Sequence, residues 1–224
     1  MAHTPVLLQE VVLGLDHQPG SIVVDATVGG GGHAFELGKK IGKEGVLIGI
    51  DEDENALKTA EEKLKSLPCR ACLAQRNFRD IEKVLHSCGV ESADVILFDL
   101  GMSSIQLEYS GRGFSFKSHE PLLMTMRTKP ALGALTAYEI VNYWKEEEIV
   151  EILREYGEEP CARAIARAIV RTRSENLIGY ADELAEIVEK VTLKRGRQRI
   201  SPATKTFQAL RIAVNDEINA LSEG

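Results

Sequence analysis

The segment from Asp25 to His33 constrains the fold of this chain more than any other, because four consecutive glycines follow a short apolar run. Its sequence is Asp-Ala-Thr-Val-Gly-Gly-Gly-Gly-His, directly after Ile22–Val24. Glycine lets the backbone turn tightly and lets a ligand approach without a Cβ in the way. Four glycines are costly in chain entropy, so we expect a ligand-binding turn between a strand and a helix. The spacing Gly29-x-Gly31-x-x-Ala34 also fits the pattern of dinucleotide-binding proteins, so this segment alone does not identify which nucleotide-like ligand binds.

Short apolar runs recur through the N-terminal part of the chain and predict buried parallel strands. They are Ile22–Val24, Val46–Ile50, Ala71–Leu73 and Val95–Phe98. Helical periodicity at Asp53–Leu67 and Asp80–Cys88 lies between them, so strand and helix alternate. This order predicts an α/β fold with an open, doubly wound sheet, in which a ligand binds at the carboxyl ends of the strands.

The character of the sequence changes after residue 104. We expect residues 1–104 to form the α/β core, 105–134 a long ordered loop and 135–224 an all-helical subdomain. Thr136–Glu139 has the form of a capping box, and helices are predicted at 146–156, 159–173 and 181–191. Ser201–Pro202 is typical of a helix start. That last helix is predicted to place five apolar residues on one face: Phe207, Leu210, Val214, Ile218 and Leu221.

Composition and charge narrow the class of protein. No apolar run is long enough to span a bilayer, and the N-terminus has no signal-peptide pattern, so we expect a cytoplasmic protein without membrane contact. The net charge of −7 disfavours a nucleic-acid partner. However, residues 160–224 hold 11 Lys and Arg against 8 Asp and Glu, so this basic third could still dock on RNA.

The four cysteines predict no metal site. Cys69 and Cys72 form a single C-x-x-C, and a structural zinc site requires a second pair of ligands, which no clear spacing provides. A redox pair stays an alternative, but we expect ordinary reduced thiols for all four, Cys88 and Cys161 included.

Two residues at strand ends could complete a nucleoside site. Asp51 ends the second predicted strand, where a carboxylate can accept hydrogen bonds from both ribose hydroxyls. Phe78 follows the third strand, where an aromatic ring can stack on an adenine. The alternatives are a helix cap for Asp51, although Asp53 is better placed for that, and core packing for Phe78.

The corner Asp99–Ser104 follows the fourth strand and could carry the chemistry of a methyl transfer to an amine. Such an enzyme holds an exocyclic amine in line with the S–CH3 bond and accepts hydrogen bonds from its N–H groups, so positioning supplies most of the catalysis. Asp99, Ser103 and Ser104 are candidate acceptors, and the sequence does not choose among them. Asp99 could instead be satisfied by backbone N–H groups.

These motifs resemble the family of 16S rRNA cytosine-N(4)-methyltransferases, the ribosomal small subunit methyltransferase H or MraW type. The matching segments, in the family's order, are His3–Leu8, Asp25–His33, Asp99–Leu107, Arg112–Phe116, Tyr156–Glu159 and Pro202–Ile212. Arg-Gly-Phe-Ser-Phe and Phe-Gln-Ala-Leu-Arg-Ile are not general features of nucleotide-binding folds. The resemblance implies a Rossmann-like class I methyltransferase core with a helical subdomain.

The resemblance also implies a site, a cofactor and a partner. S-adenosyl-L-methionine is the implied cofactor, and a cytidine in the decoding region of 16S rRNA, methylated on its exocyclic amine, is the implied substrate. The small ribosomal subunit would be the partner, and a homodimer is one candidate assembly. The implied cofactor-binding residues are Gly31, Gly32, His33, Asp51, Phe78, Asp99 and Gln106.

Two departures from the family pattern stand out. The loop after Arg112–Phe116 has Leu123 and Thr125 where the family usually has an acid and an arginine. The family also continues past the last helix into further strands, so we expect this chain, ending at Gly224, to lack that C-terminal segment.

Two groups of cations in the basic third predict contact with RNA phosphates. One lies on a predicted helix, where Arg163, Arg167 and Arg171 recur every four residues and Arg173 extends the stripe. The other is a predicted loop with Lys194, Arg195, Arg197 and Arg199. The alternative for the helix is a solvated face paired with nearby Glu residues.

Two other functions fit the same fold. An NAD-dependent oxidoreductase would require a catalytic Tyr/Lys or His arrangement after the fourth strand, which Asp99–Ser104 does not offer. A non-catalytic RNA-binding or ribosome-assembly protein could keep the fold without turnover.

Overall fold

The four apolar runs form one parallel sheet. In the computed structural model, which describes residues 5, 7–102, 106–107, 110–192 and 201–224, the strands are β1 (Ile22–Asp25), β2 (Val46–Asp51), β3 (Arg70–Gln75) and β4 (Val95–Leu97). Their order is β3-β2-β1-β4, and each neighbouring pair is parallel. The predicted α/β sheet is confirmed, and its order reverses between β1 and β4.

The inner strands β1 and β2 are mostly apolar because both faces of the sheet are covered. Val23 and Leu47 pack on one face with α1 (Leu8–Gly14), α2 (Gly32–Ile41) and α3 (Glu54–Leu64). Val24 and Ile48 pack on the other face with α4 (Ile81–Ser87). Period-2 alternation therefore disappears from the sequence. Helix α1 has no counterpart among the predicted elements.

The chain divides into two compact units. One comprises Met1–Ser103 with Asn219–Gly224, and the other comprises Ser104–Ile218. The second unit contains α5 (Ala137–Tyr143), α6 (Glu146–Glu155), α7 (Ala162–Arg173), α8 (Ala181–Thr192) and α9 (Ala203–Asn215), and α10 (Glu217–Glu223) follows α9. Within the described residues, no helix is long and apolar enough to cross a membrane.

The predicted capping box at the start of α5 is present. The Thr136 hydroxyl accepts a hydrogen bond from the Glu139 N–H at 3.3 Å, and the Glu139 carboxylate accepts one from the Thr136 N–H at 2.9 Å. The prediction of a single last helix is wrong. Asp216 adopts a left-handed φ of 52° and separates α9 from α10, so Ile218 and Leu221 leave the apolar face and are 52% and 40% exposed.

The expectation of four reduced cysteines is also wrong. Cys72 and Cys88 form a disulfide, whereas Cys69 and Cys161 are free. Cys72 lies on the face of β3 that packs against α4, and Cys88 directly follows α4. The pairing depends on how α4 packs on the sheet, which cysteine spacing does not report.

A strained loop in the second unit is held by hydrogen bonds on both sides. Met124 is fully buried with a left-handed φ of 56°, a costly conformation for a non-glycine residue. Its N–H donates to the Arg112 carbonyl at 2.7 Å. The Asn215 amide donates to the Met124 carbonyl at 2.8 Å and accepts from the Met126 N–H at 2.7 Å. Asn215 therefore clamps this loop to α9.

We expect Asn215→Ala to lower the free energy of unfolding by about 2–3 kcal/mol, because two loop backbone groups lose their partners. Chemical denaturation measures the change. Asn176→Ala, at an exposed position, is the control and should change stability by less than about 0.5 kcal/mol. Equal stability of the two variants would contradict a clamping role for Asn215.

Candidate functional site

The glycine turn joins β1 to α2 at the carboxyl edge of the sheet. Gly31 precedes α2 with a left-handed φ of 76°, and a Cβ there would lie 3.2 Å from the Ala60 Cα. A Cβ on Gly32 would lie 2.2 Å from the Cγ of Pro5. Only glycine fits both positions. His33 follows in the first turn of α2 and is 6% exposed.

Asp51 ends β2 and holds the glycine turn. One carboxylate oxygen accepts a hydrogen bond from the Gly29 N–H at 2.9 Å, and the other accepts from the Asp53 N–H at 2.8 Å. Burial raises the pKa of Asp51 to about 6. Each oxygen keeps a lone pair for a further donor. Asp53, not Asp51, caps α3 by accepting from the Asn55 N–H, as the sequence suggested.

Asp25 and Thr27 belong to the site, although the sequence predictions did not include them. Asp25 ends β1, is 1% exposed and accepts a hydrogen bond from the Thr27 N–H at 3.2 Å. The Thr27 hydroxyl accepts one from the Asp99 N–H at 2.7 Å. Thr27 thus ties the end of β1 to the segment after β4. The available signal was a carboxylate that ends an apolar strand four residues before the first glycine.

Asp99 faces both His33 and solvent. The Nδ1 of His33 lies 3.7 Å from a carboxylate oxygen of Asp99, whose side chain is 49% exposed while that of His33 is 7% exposed. The backbone of Asp99 is fixed and its carboxylate lies beside a buried imidazole, yet this carboxylate is open to solvent. It is therefore suited to contact an incoming substrate.

Three carboxyl groups therefore meet at the ends of adjacent strands. The pKa of Asp25 is raised to about 7, chiefly by burial and further by the charges of Asp51 and Asp99. The N–H groups of Thr27 and Ala34 oppose this shift. The site is electrostatically suited to a cationic ligand and unsuited to a pyrophosphate.

Phe78 lies at the adjoining corner of the sheet. It begins a 3-10 helix (Phe78–Asp80), and its ring packs edge-to-face on Phe98 with centroids 5.6 Å apart. The amide of Asn77 donates to the Glu52 carboxylate at 2.6 Å, which links this corner to the end of β2 beside Asp51. Phe78 is partly buried, so core packing accounts for part of its ring.

The remaining predicted site residues are not tested by this geometry. Gln106 is 6% exposed and belongs to the second unit. The other predicted residues lie outside the described parts of the chain: Ser103, Ser104, Lys194, Arg195, Arg197 and Arg199.

Comparisons with known proteins identify close relatives. A family model described as the MraW methylase family matches residues 1–224. A "Ribosomal RNA small subunit methyltransferase H" from Symbiobacterium thermophilum is 45% identical over 224 residues, covering 99% of this chain and 69% of the relative. The protein of that name from Persephonella marina is 47% identical over 226 residues, covering 99% and 74%. The one from Brevibacillus brevis is 44% identical over 222 residues, covering 99% and 70%.

The raised pKa of Asp25 predicts that stability falls as pH rises. The unfolded carboxyl ionises near 3.8 and the folded one near 7, so the folded state binds the extra proton between these values. The stability lost across this window is on the order of 4 kcal/mol. We expect Asp25→Asn to remove this part of the pH dependence and to leave the smaller part due to Asp51, whose pKa is also raised. Urea denaturation from pH 4 to pH 8 measures the difference. The exposed control Asp16→Asn should keep the wild-type curve, and a wild-type curve for Asp25→Asn would contradict the assignment.

Proposed function

Because the chain belongs to the MraW methylase family, we propose that it transfers the methyl group of S-adenosyl-L-methionine to the N4 amine of a cytidine in the decoding region of 16S rRNA. The observation that carries this proposal is the convergence of Asp25, Asp51 and Asp99 beside the glycine turn. The relatives' names supply the RNA class, and the motif resemblance supplies the base and its position. The reaction would take place in the cytoplasm.

The residues present fit the cofactor. S-adenosyl-L-methionine carries a positive sulfonium and an ammonium group, which the three carboxyls favour. Asp51 would accept hydrogen bonds from the ribose hydroxyls with its remaining lone pairs, and Phe78 would lie near the adenine. Gly31, Gly32 and His33 would contact the methionine portion of the cofactor. Gln106 and Asp99 are the remaining proposed cofactor-binding residues.

The chain's own contribution to the chemistry is positioning and proton acceptance. When bound, S-adenosyl-L-methionine supplies a methyl group already activated by its positively charged sulfur. Transfer of this methyl group to the target amine would leave S-adenosylhomocysteine, and the proton lost by the amine would pass to an acceptor of this chain or to solvent. We propose Asp99 as an acceptor of the amine N–H groups, because its backbone is fixed by Thr27 and its carboxylate is open to solvent. Ser103 and Ser104 remain the alternative acceptors.

The two other functions predict different binding. A dinucleotide would bring a pyrophosphate against the carboxyls, so we expect no measurable binding of NAD. A non-catalytic RNA-binding protein would bind the cofactor or the RNA without turnover, and the altered residues Leu123 and Thr125 keep this as the second candidate.

The test combines calorimetry with a transfer assay. The protein is titrated with S-adenosyl-L-methionine, S-adenosylhomocysteine and NAD, and labelled methyl transfer to small ribosomal subunits lacking the modification is then measured. Nucleoside mass spectrometry should detect N4-methylcytidine in the 16S rRNA. Cofactor binding without transfer would favour the non-catalytic candidate, and transfer to another nucleoside would overturn the proposed base.

Asp51→Ala should weaken S-adenosyl-L-methionine binding at least roughly tenfold, because the ribose loses a charged acceptor and the Gly29 N–H loses its partner. Calorimetry measures the affinity. Glu61→Gln changes an exposed carboxylate further along α3 and should leave the affinity unchanged. Unaltered affinity in Asp51→Ala would remove Asp51 from the cofactor site.

A further inference from the structure

Helix α7 presents three arginines on one exposed face. Arg163, Arg167 and Arg171 are all exposed, whereas Ile165 and Ile169 on the opposite side are fully buried. Four residues of α-helix advance by about 6 Å, so the three guanidinium groups follow one another along a nearly straight row. The surface is fixed because the helix is anchored by its apolar side.

The charges of this row are largely uncompensated. Arg167 approaches a single carboxylate, that of Glu146, at 3.8 Å, and its side chain is 77% exposed. Among the described residues, no carboxylate lies within the 4.0 Å of an ion pair from Arg163 or Arg171. The sequence left open that this helix face is paired with nearby Glu residues. Arg163 and Arg171 do not form such pairs with the described residues.

Three surface lysines on other helices behave differently. Lys58 pairs with Glu54 at 2.7 Å, Lys190 pairs with Glu186 at 3.0 Å, and Lys65 pairs with a carboxylate one turn before it. These three lysines have local partners on their own helices. They provide a matched set of three positive charges for comparison with the arginine row.

Arg173 does not extend the row, contrary to the sequence prediction. Its guanidinium donates to the Val141 carbonyl at 2.8 Å and to the Trp144 carbonyl at 2.6 Å. These carbonyls lie at the end of α5, where a helix leaves its last acceptors unsatisfied. Arg173 is thus committed to the fold, and three arginines remain for an external ligand.

We propose that Arg163, Arg167 and Arg171 form a phosphate-binding face for the backbone of the RNA substrate. The inference rests on the proposed function for its partner and adds the surface that meets it. A guanidinium binds phosphate oxygens through two parallel N–H groups, and a row of them suits the repeating charge of a nucleic-acid strand. A chain with a net charge of −7 repels RNA as a whole, so binding requires a local positive face of this kind.

The test measures how salt affects binding to small ribosomal subunits. Replacing the three arginines together, R163Q/R167Q/R171Q, should weaken binding by roughly tenfold or more and reduce the slope of log K against log salt by about 2 units. Cofactor affinity should not change. The control K58Q/K65Q/K190Q removes the same charge elsewhere and should keep the wild-type slope. R163K/R167K/R171K keeps the three positive charges and should therefore keep most of the wild-type slope. This result would show that the glutamine variant loses binding through lost charge and not through misfolding.

Each result decides the inference. An unchanged salt slope in R163Q/R167Q/R171Q would overturn it. An equal loss of RNA binding in K58Q/K65Q/K190Q would also overturn it, because net charge alone would then explain binding. A variant that methylates and binds RNA like the wild type would overturn this face while leaving the proposed function intact. If the wild-type protein does not bind small ribosomal subunits at all, both this inference and the proposed function fail.

Discussion

The carboxylate of Asp51 is the contact on which the site depends. It accepts hydrogen bonds from Gly29 and Asp53, so the glycine turn after β1 and the start of α3 after β2 are held by one group. Glycines that adopt left-handed conformations have many alternatives in the unfolded chain. A charged acceptor from the neighbouring strand selects one of them. The turn is therefore held by contacts within the protein itself. A cofactor that binds there would not have to supply the conformational entropy needed to order the turn.

The same edge of the sheet carries an electrostatic cost. Asp25 is buried among other carboxyls, and its raised pKa shows that the folded protein disfavours its charge. A domain optimised for stability alone would place an apolar or amide side chain there. A cationic ligand reverses the balance, because it offsets the repulsion between Asp25, Asp51 and Asp99. The repulsion that destabilises this edge would thus also favour a positively charged ligand there.

How far the sequence predicts this structure depends on the range of the interactions involved. The strands and the turn follow from local composition, since Val46–Ile50 is apolar over its whole length and Gly29–Gly32 can adopt left-handed backbone conformations that other residues rarely adopt. The Cys72–Cys88 disulfide and the break at Asp216 depend on packing between distant segments, which spacing does not encode. The sequence marks Asp25 only as the start of the glycine segment, because local composition does not show which acids on neighbouring strands lie beside it. Its importance lies in the neighbouring strands that bring other acids beside it.

The departure at Leu123 and Thr125 has a limited structural consequence. In the motif that this loop resembles, these positions hold an acid and an arginine, and losing one of two opposite charges in a buried loop leaves the other uncompensated. Here both are replaced together. The loop backbone is satisfied by Arg112 and Asn215 instead, and the Thr125 hydroxyl donates to the Arg127 carbonyl at 3.0 Å. These contacts therefore hold the loop without a pair of opposite charges at the two positions.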